Sequence, residues 1–435
     1  MKDALQFHFI LLLKWIQEYI LDPILNLLLK TTTKNGPQRQ NSESNYANSA
    51  QRVKIRTRGA YSVGTFHSLQ NYLYTHQSYC HPNVVLKNDR ITLQGVDDQF
   101  AWFCITEDSV DVNDVTQFPF VWIAQYLMAT ELIIMPISSF LQLYQEELVR
   151  PGNDGRQIIM LFNTTRCGST LACQMFSKLP NTKSMSEPWP LLIAHSNYVH
   201  GNLKAEIYED IIEACVAFQC KADLGIQRIF YKPPGAAMPV AHIVKKMCPN
   251  IKVIFNTRLP KHNVSSLYQI INGPVYESST SPEIKTIWKR FVALPPHPKD
   301  MTKALKKYRN EVIAKLDIDK MDLYIGGCFS SYFYWFLQHR DIYDFVLLYD
   351  EWMHYPLIET AKLFDSLGID KKHLSVALEA FDKDSQNKFF GETDGKRAEV
   401  ISEDEWRRID EVFQTFGLPL KHDMSIEEYK SVLYQ

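Results

Sequence analysis

Gln157-Ile158-Ile159-Met160-Leu161-Phe162-Asn163-Thr164-Thr165-Arg166-Cys167-Gly168-Ser169-Thr170-Leu171-Ala172-Cys173-Gln174-Met175-Phe176 is the stretch on which the reading of this chain turns. Residues 158–162 are an unbroken apolar run, the pattern of a strand buried on both faces of a parallel sheet. Residues 163–170 are small and polar, with Gly168 among them. An apolar stripe then resumes at helical spacing with Leu171, Met175 and Leu179, and Pro180-Asn181 stops it. A strand, a tight polar loop and a helix start in succession aim backbone N–H groups and the positive end of a helix at one point, where a phosphate or similar anion fits. A plain strand–turn–helix connection has the same local pattern, because short Gly/Ser loops are common. The rest of the chain has to decide between the two.

Working outward, strands alternate with helices. Residues 228–234 read as a second strand ending in a turn, 251–256 as a third, and 345–350 as a fourth. Residues 204–221, 241–247 and 357–367 read as helices, the last closed by Gly368. This alternation predicts an α/β fold with a mainly parallel sheet. Ligands of such folds sit outside the carboxyl ends of the strands. Arg166, Glu187, Lys232 and Arg258 all fall just past a strand or its first helix.

Upstream, residues 51–66 and 83–106 look strand-rich, with a hairpin expected to turn at Asn88-Asp89; residues 137–148 look helical. No catalytic constellation is visible in 51–150, which stands as an N-terminal extension of short strands without an assigned role. Residues 31–50 are polar and read as a flexible linker. Residues 4–30 are strongly apolar but interrupted by Lys14, Gln17, Glu18, Asp22, Pro23 and Asn26, a poor pattern for a spanning helix. A hydrophobic or amphipathic helix lying in a membrane interface, or packed on the body, fits better. The expected organisation is therefore a helix at 1–30, a linker at 31–50, the extension at 51–150 and the α/β domain at 151–435.

With 435 residues, 46% hydrophobic and 22% charged, the chain has the composition of an ordinary globular protein with a large core. A net charge of −2 speaks against broad nucleic-acid binding, so an anionic ligand needs locally placed cations. The eight cysteines show neither a CxxC pair nor metal-ligand spacing, and are expected as free, mostly buried thiols in a reducing compartment.

Several of these residues carry a family resemblance. Thr165-Arg166-Cys167-Gly168-Ser169-Thr170-Leu171 resembles the 5′-phosphosulfate loop of the P-loop sulfotransferases, with Cys167 where serine is usual. Arg258-Leu259-Pro260 followed by Ser266 is similar to that family's 3′-phosphate motif. Tyr349-Asp350-Glu351-Trp352 with Pro356 and Leu367-Gly368 looks like its late strand–helix segment. Ser186-Glu187-Pro188 resembles an acidic-proline element of the carbohydrate and protein-tyrosine members. The resemblance spans roughly 155–420. It implies a P-loop NTPase-like three-layer fold and transfer of a sulfuryl group from 3′-phosphoadenosine 5′-phosphosulfate (PAPS), without metal, to a hydroxyl of a sugar, peptide or small alcohol. No late basic Gly-rich loop is clear; Gly395-Lys396-Arg397 is a loose match.

The residues themselves bear on this chemistry. A P-loop that hydrolyses ATP or GTP needs GxxxxGK[ST], with a lysine for the terminal phosphates and a hydroxyl for Mg²⁺. Here no glycine opens the loop and Gly168 is followed by Ser169, which disfavours hydrolysis and a small-molecule kinase. A non-catalytic nucleotide-binding or scaffold protein of the same fold is the alternative. On the sulfotransferase expectation, Arg166 clamps the 5′-phosphate and the leaving group, and Cys167, Gly168, Ser169, Thr170 and Leu171 line it with backbone N–H groups. Arg258 and Ser266 take the 3′-phosphate, and Glu187 is the general base. Lys232 is a candidate for lining the donor site, and His195, His200 and His262 are competing bases. Cys167 is either a neutral loop filler or a thiol activated by the helix end and Arg166.

The two Asn-x-Ser/Thr sequons, at Asn163 and Asn263, fall inside the two proposed donor motifs, where a glycan would obstruct them. With the unpaired cysteines, this points to a cytoplasmic protein, membrane-associated if residues 4–30 contact a membrane. A type II membrane protein of the Golgi lumen is the alternative.

Overall fold

The computed structural model describes residues 46–58, 69, 72–199, 201–221, 225–272, 321–382 and 401–434. The expected helix at 4–30, most of the linker, His200 and Gly395-Lys396-Arg397 lie outside them. Among the described residues no helix is long and apolar enough to cross a membrane.

Two five-stranded sheets organise these residues. The first is antiparallel. It is built from β1 (Ala50–Arg58), β2 (Tyr72–Cys80), β3 (Ile91–Val96), β4 (Phe100–Thr106) and β5 (Ala129–Pro136), in the order β2-β1-β5-β4-β3. Helix α1 (Val121–Met128) precedes β5, and α2 (Ile137–Glu147) follows it. The hairpin expected at Asn88-Asp89 does not form. Pro82–Leu86 is a 3-10 turn, capped by the His81 ring accepting from Asn83 N–H and started by Pro82. A proline at that place cannot donate to a sheet ladder but suits a first helical turn. Instead β3 pairs with β4, across a turn in which Asp97 Oδ1 accepts from the N–H groups of Gln99 and Phe100.

The second sheet is parallel throughout, as the apolar runs require: β6 (Gln157–Asn163), β7 (Thr182–Ser186), β8 (Arg228–Lys232), β9 (Lys252–Thr257) and β10 (Phe345–Leu348), in the order β10-β9-β6-β8-β7. Residues of β6 alternate between two cores. Ile159 and Leu161 pack with α3 (Ser169–Ser177) and the helix Pro356–Leu367. Ile158, Met160 and Phe162 pack on the opposite face with Ala205–Gln219 and Met321–Gln338. Helices on both faces of a parallel sheet make the three-layer α/β architecture expected from the alternation.

The two sheets share a core. Phe103 of β4 meets Phe218 edge to face and Phe140 of α2 stacks on it, at 5.3 and 4.7 Å between ring centroids. The other face of the antiparallel sheet buries Trp102, Leu132 and Ile134 with Trp122, Trp189 and Ile193. The extension is therefore packed into the body of the molecule. Each of the eight cysteines is a free thiol, Cys80 half-buried and the others buried.

Candidate functional site

From β6 the chain goes to the edge at β7, returns inward to β8, and then crosses to the other side of β6 for β9 and β10. The loops after β6, β8 and β9 thus converge at a switch point, where such sheets leave a crevice at the strands' carboxyl ends. The loop after β6 is wound tightly. Thr165, Arg166 and Gly168 all have positive φ, at 60°, 42° and 77°. For Thr165 and Arg166 this is a conformation that costs a non-glycine residue free energy and persists only where neighbours impose it.

Those neighbours are two buried asparagines. Asn163 Oδ1 accepts from Thr165 N–H at 2.9 Å, and its Nδ2 donates to Pro233 O at 3.2 Å. Asn263 Nδ2, from the helix Pro260–Asn272, reaches Thr165 O at 2.7 Å, Thr164 Oγ1 at 3.1 Å and Thr164 O at 3.3 Å. A further chain runs from Thr164 Oγ1 to Thr257 Oγ1 and on to the buried Tyr429 hydroxyl. Both sequon asparagines are thus buried side chains fastening the loop. Gly235 is tight against it from the β8 side: a Cβ there would lie 2.4 Å from Thr165 Cγ2.

The loop ends at Gly168, the N-cap of α3. Ser169, Thr170 and Leu171 open that helix, so their N–H groups lack intrahelical acceptors and face the loop. Arg166 Nε donates to Ser266 Oγ at 3.1 Å, which joins the 165–171 motif to the 258–266 motif across 100 residues. Arg258 lies on the other flank. Its guanidinium sits 5.0 Å from the centre of the Tyr349 ring, and that ring packs directly on Gly168. Arg258 Nε is 3.7 Å from Asp350 Oδ1, beyond hydrogen-bond reach, and has no hydrogen-bond partner among the described residues. Asp350 is satisfied elsewhere, by Leu259 N–H at 2.8 Å and His262 Nδ1 at 2.6 Å. Burial disfavours its charge, but these hydrogen bonds and Arg258 prevail and hold its carboxyl below the ordinary range. Arg258 is thereby placed and left with donors to spare.

The third corner is an ion pair. Glu187 follows β7, with φ 54°, and its N–H donates to Lys232 O at 2.7 Å. Lys232 Nζ donates to Glu187 Oε1, leaving Oε2 without a protein partner among the described residues. Lys232 is 1% exposed and Glu187 24%, so the carboxylate stands in front of a buried ammonium. The field of Lys232 also reaches the Cys167 thiol, which connects the pair to the loop.

The remaining candidates separate. Cys167 is sealed from solvent, and burial pushes its thiol up to about 11 against the opposing pull of Lys232, so it is a small filler and not an activated thiol. His195 is buried against the Tyr208 hydroxyl at 2.5 Å, and burial lowers its pKa to about 3. His262 is engaged with Asp350. Tyr349, Asn163 and Asn263 were not singled out as site residues by sequence. Their contacts span up to 181 residues, and only the family-like Tyr349-Asp350 segment and the two sequons drew notice to them.

No protein-family model matches the chain, and no curated protein matches it in sequence. Solved structures do resemble it. Sulfotransferase STF1 from Mycobacterium tuberculosis H37Rv is 10% identical with a TM-score of 0.37, over 64% of this chain and 82% of its own. A sulfotransferase from Alicyclobacillus acidocaldarius is 12% identical with a TM-score of 0.33, over 64% and 96%. The sulfotransferase domain of the Synechococcus PCC 7002 olefin synthase is 13% identical with a TM-score of 0.28, over 66% and 97%. All three are sulfotransferases, the family that the sequence motifs resemble, and the likeness is remote in both sequence and geometry.

Proposed function

We propose that this chain is a sulfotransferase that moves a sulfuryl group from PAPS to an acceptor hydroxyl. The observation that carries the proposal is the contact of Arg166 with Ser266, beside an Arg258 whose Nε has no hydrogen-bond partner among the described residues. It sets two cation-bearing motifs side by side at the mouth of one loop, as a donor with phosphate at both 5′ and 3′ positions needs. The loop N–H groups and Arg166 hold the 5′-phosphate, and Arg258 with Ser266 holds the 3′-phosphate. The acceptor oxygen attacks sulfur in line. Its proton passes to Glu187 Oε2, the bond from sulfur to the bridging phosphate oxygen breaks, and adenosine 3′,5′-bisphosphate leaves with the new negative charge. Arg166 and the helix end stabilise that charge, so positioning and preorganised dipoles supply most of the rate.

The test has two arms. Adenosine 3′,5′-bisphosphate should bind the purified chain in a calorimeter. Glu187→Gln should keep that binding while sulfuryl transfer from labelled donor falls by about 10²- to 10⁴-fold. Absence of binding refutes the donor site, and binding without any transfer returns the chain to a non-catalytic nucleotide-binding role.

A further inference from the structure

The antiparallel extension reaches the third corner of the site. Phe120 is the residue immediately before α1, and Lys232 Nζ lies 5.3 Å from the centre of its ring. Phe120 stacks on Trp122, with centroids 6.4 Å apart and rings 9° from parallel, and Trp122 packs on Trp189 at 5.3 Å. Trp189 is two residues beyond Glu187. One end of α1 therefore touches both sides of the turn that carries the carboxylate: Lys232 through Phe120, and the following chain through Trp122. That turn holds Glu187 at a left-handed φ, a conformation a non-glycine residue keeps only under outside support.

We propose that Phe120 is a positioning residue for transfer, holding the Lys232 ammonium behind Glu187 through the catalytic cycle; the inference rests on the sulfotransferase reading above. The electrostatic reason is specific. Among the described residues the buried ammonium has one carboxylate partner, Glu187, and one ring, Phe120. When Glu187 accepts the acceptor's proton, the carboxylate charge disappears and the buried ammonium loses its carboxylate partner, a costly change. The negative face of the ring is what remains opposite it, and a desolvated cation–π contact is among the stronger of its kind. The ring thus lowers the cost of the proton transfer without touching the substrate, and gives the extension a part in the reaction.

The experiment compares Phe120→Leu with Phe120→Tyr. Sulfuryl transfer from labelled PAPS is measured on a phenol, a tyrosine-containing peptide and an unsulfated glycan, with adenosine 3′,5′-bisphosphate binding and thermal melting measured alongside. Phe120→Leu should lower kcat about tenfold with the donor KM and bisphosphate affinity unchanged; Phe120→Tyr, which keeps a π face, should stay within about twofold of the unaltered chain. Equal kcat for Phe120→Leu and the unaltered chain overturns the inference. So does an equal fall in both variants that tracks the loss of melting temperature, because a packing role would produce that. If the unaltered chain binds bisphosphate yet transfers to none of the acceptors, the inference falls and the donor site stands. If it binds none, the sulfotransferase reading itself fails.

Discussion

One methyl group at Gly168 should disturb both proposed phosphate corners at once. Gly168 has φ +77°, and an alanine pays roughly 1 kcal/mol to adopt that region. Its Cβ would fall 2.1 Å from Cδ2 and Cε2 of Tyr349, so ring and loop must part by about 1.3 Å to reach an ordinary 3.4 Å contact. Overpacking of this kind costs about 1–3 kcal/mol. The ring is also the surface on which Arg258 rests, so its displacement carries the strain from the proposed 5′-phosphate loop to the proposed 3′-phosphate arginine. If about 1.4–2.8 kcal/mol of the combined cost appears in binding, the Kd for adenosine 3′,5′-bisphosphate rises about 10- to 100-fold. Isothermal calorimetry on Gly168→Ala, Tyr349→Ala and the double variant reads this directly. Tyr349→Ala removes the obstacle, so the double variant should bind better than the sum of the single losses predicts. An alanine at 168 that leaves Kd within twofold, or losses that simply add, would refute the connection.

Three other perturbations test the surroundings of the loop. Asn263→Ala removes three hydrogen bonds to Thr164 and Thr165 and strands buried acceptors. A loss of about 2–4 kcal/mol in urea denaturation is expected, together with weaker bisphosphate binding; unchanged values of both would show that the loop holds its shape unaided. Cys167, sealed and with its thiol raised to about 11, should resist iodoacetamide at pH 7.5 until the chain is unfolded, and rapid native labelling would contradict its role as filler. His195 should tax stability in acid. Burial holds the folded-state value near 3, so between pH 6.5 and 5 the unfolded chain takes up a proton that the folded chain refuses, and stability falls by up to about 2 kcal/mol. His195→Gln should flatten that part of the stability–pH profile, and an unchanged slope would place the acid sensitivity elsewhere.

What could be read from sequence followed burial. β6, β8 and β9 are central strands covered on both faces, so they appear as apolar runs. β7 has no such signature: both it and β10 are edge strands, but β10 is the apolar Phe345–Leu348, whereas β7 runs Thr182, Lys183, Ser184, Met185 and Ser186. Ser184 spends its hydroxyl on Cys173 O, a contact with no periodic signature. The apolar 82–86 segment looked like a strand because hydrophobicity alone does not distinguish a short strand from a short helical turn; Pro82 and the His81 cap decided it locally. The cations of the site are visible one by one, since each ends or follows a strand. Their grouping was not, because Arg166 meets Ser266, and Gly168 meets Tyr349, only after the sheet has folded.

The two sequon asparagines do structural work as buried amides. Asn163 and Asn263 drew attention as sites of modification, and the concern was a glycan at the donor loop. In the fold each asparagine is used for its amide. A loop with two consecutive left-handed non-glycine residues cannot satisfy its own backbone groups, so the surrounding structure must supply both an acceptor and a donor. Asn163 accepts from one N–H of that loop, and Asn263 donates to two of its carbonyls. Aspartate could not donate, and serine is too short to span from the helix at 260–272 to the loop. The residue type that makes these positions look like glycan acceptors is therefore the one that winding a loop of this shape requires.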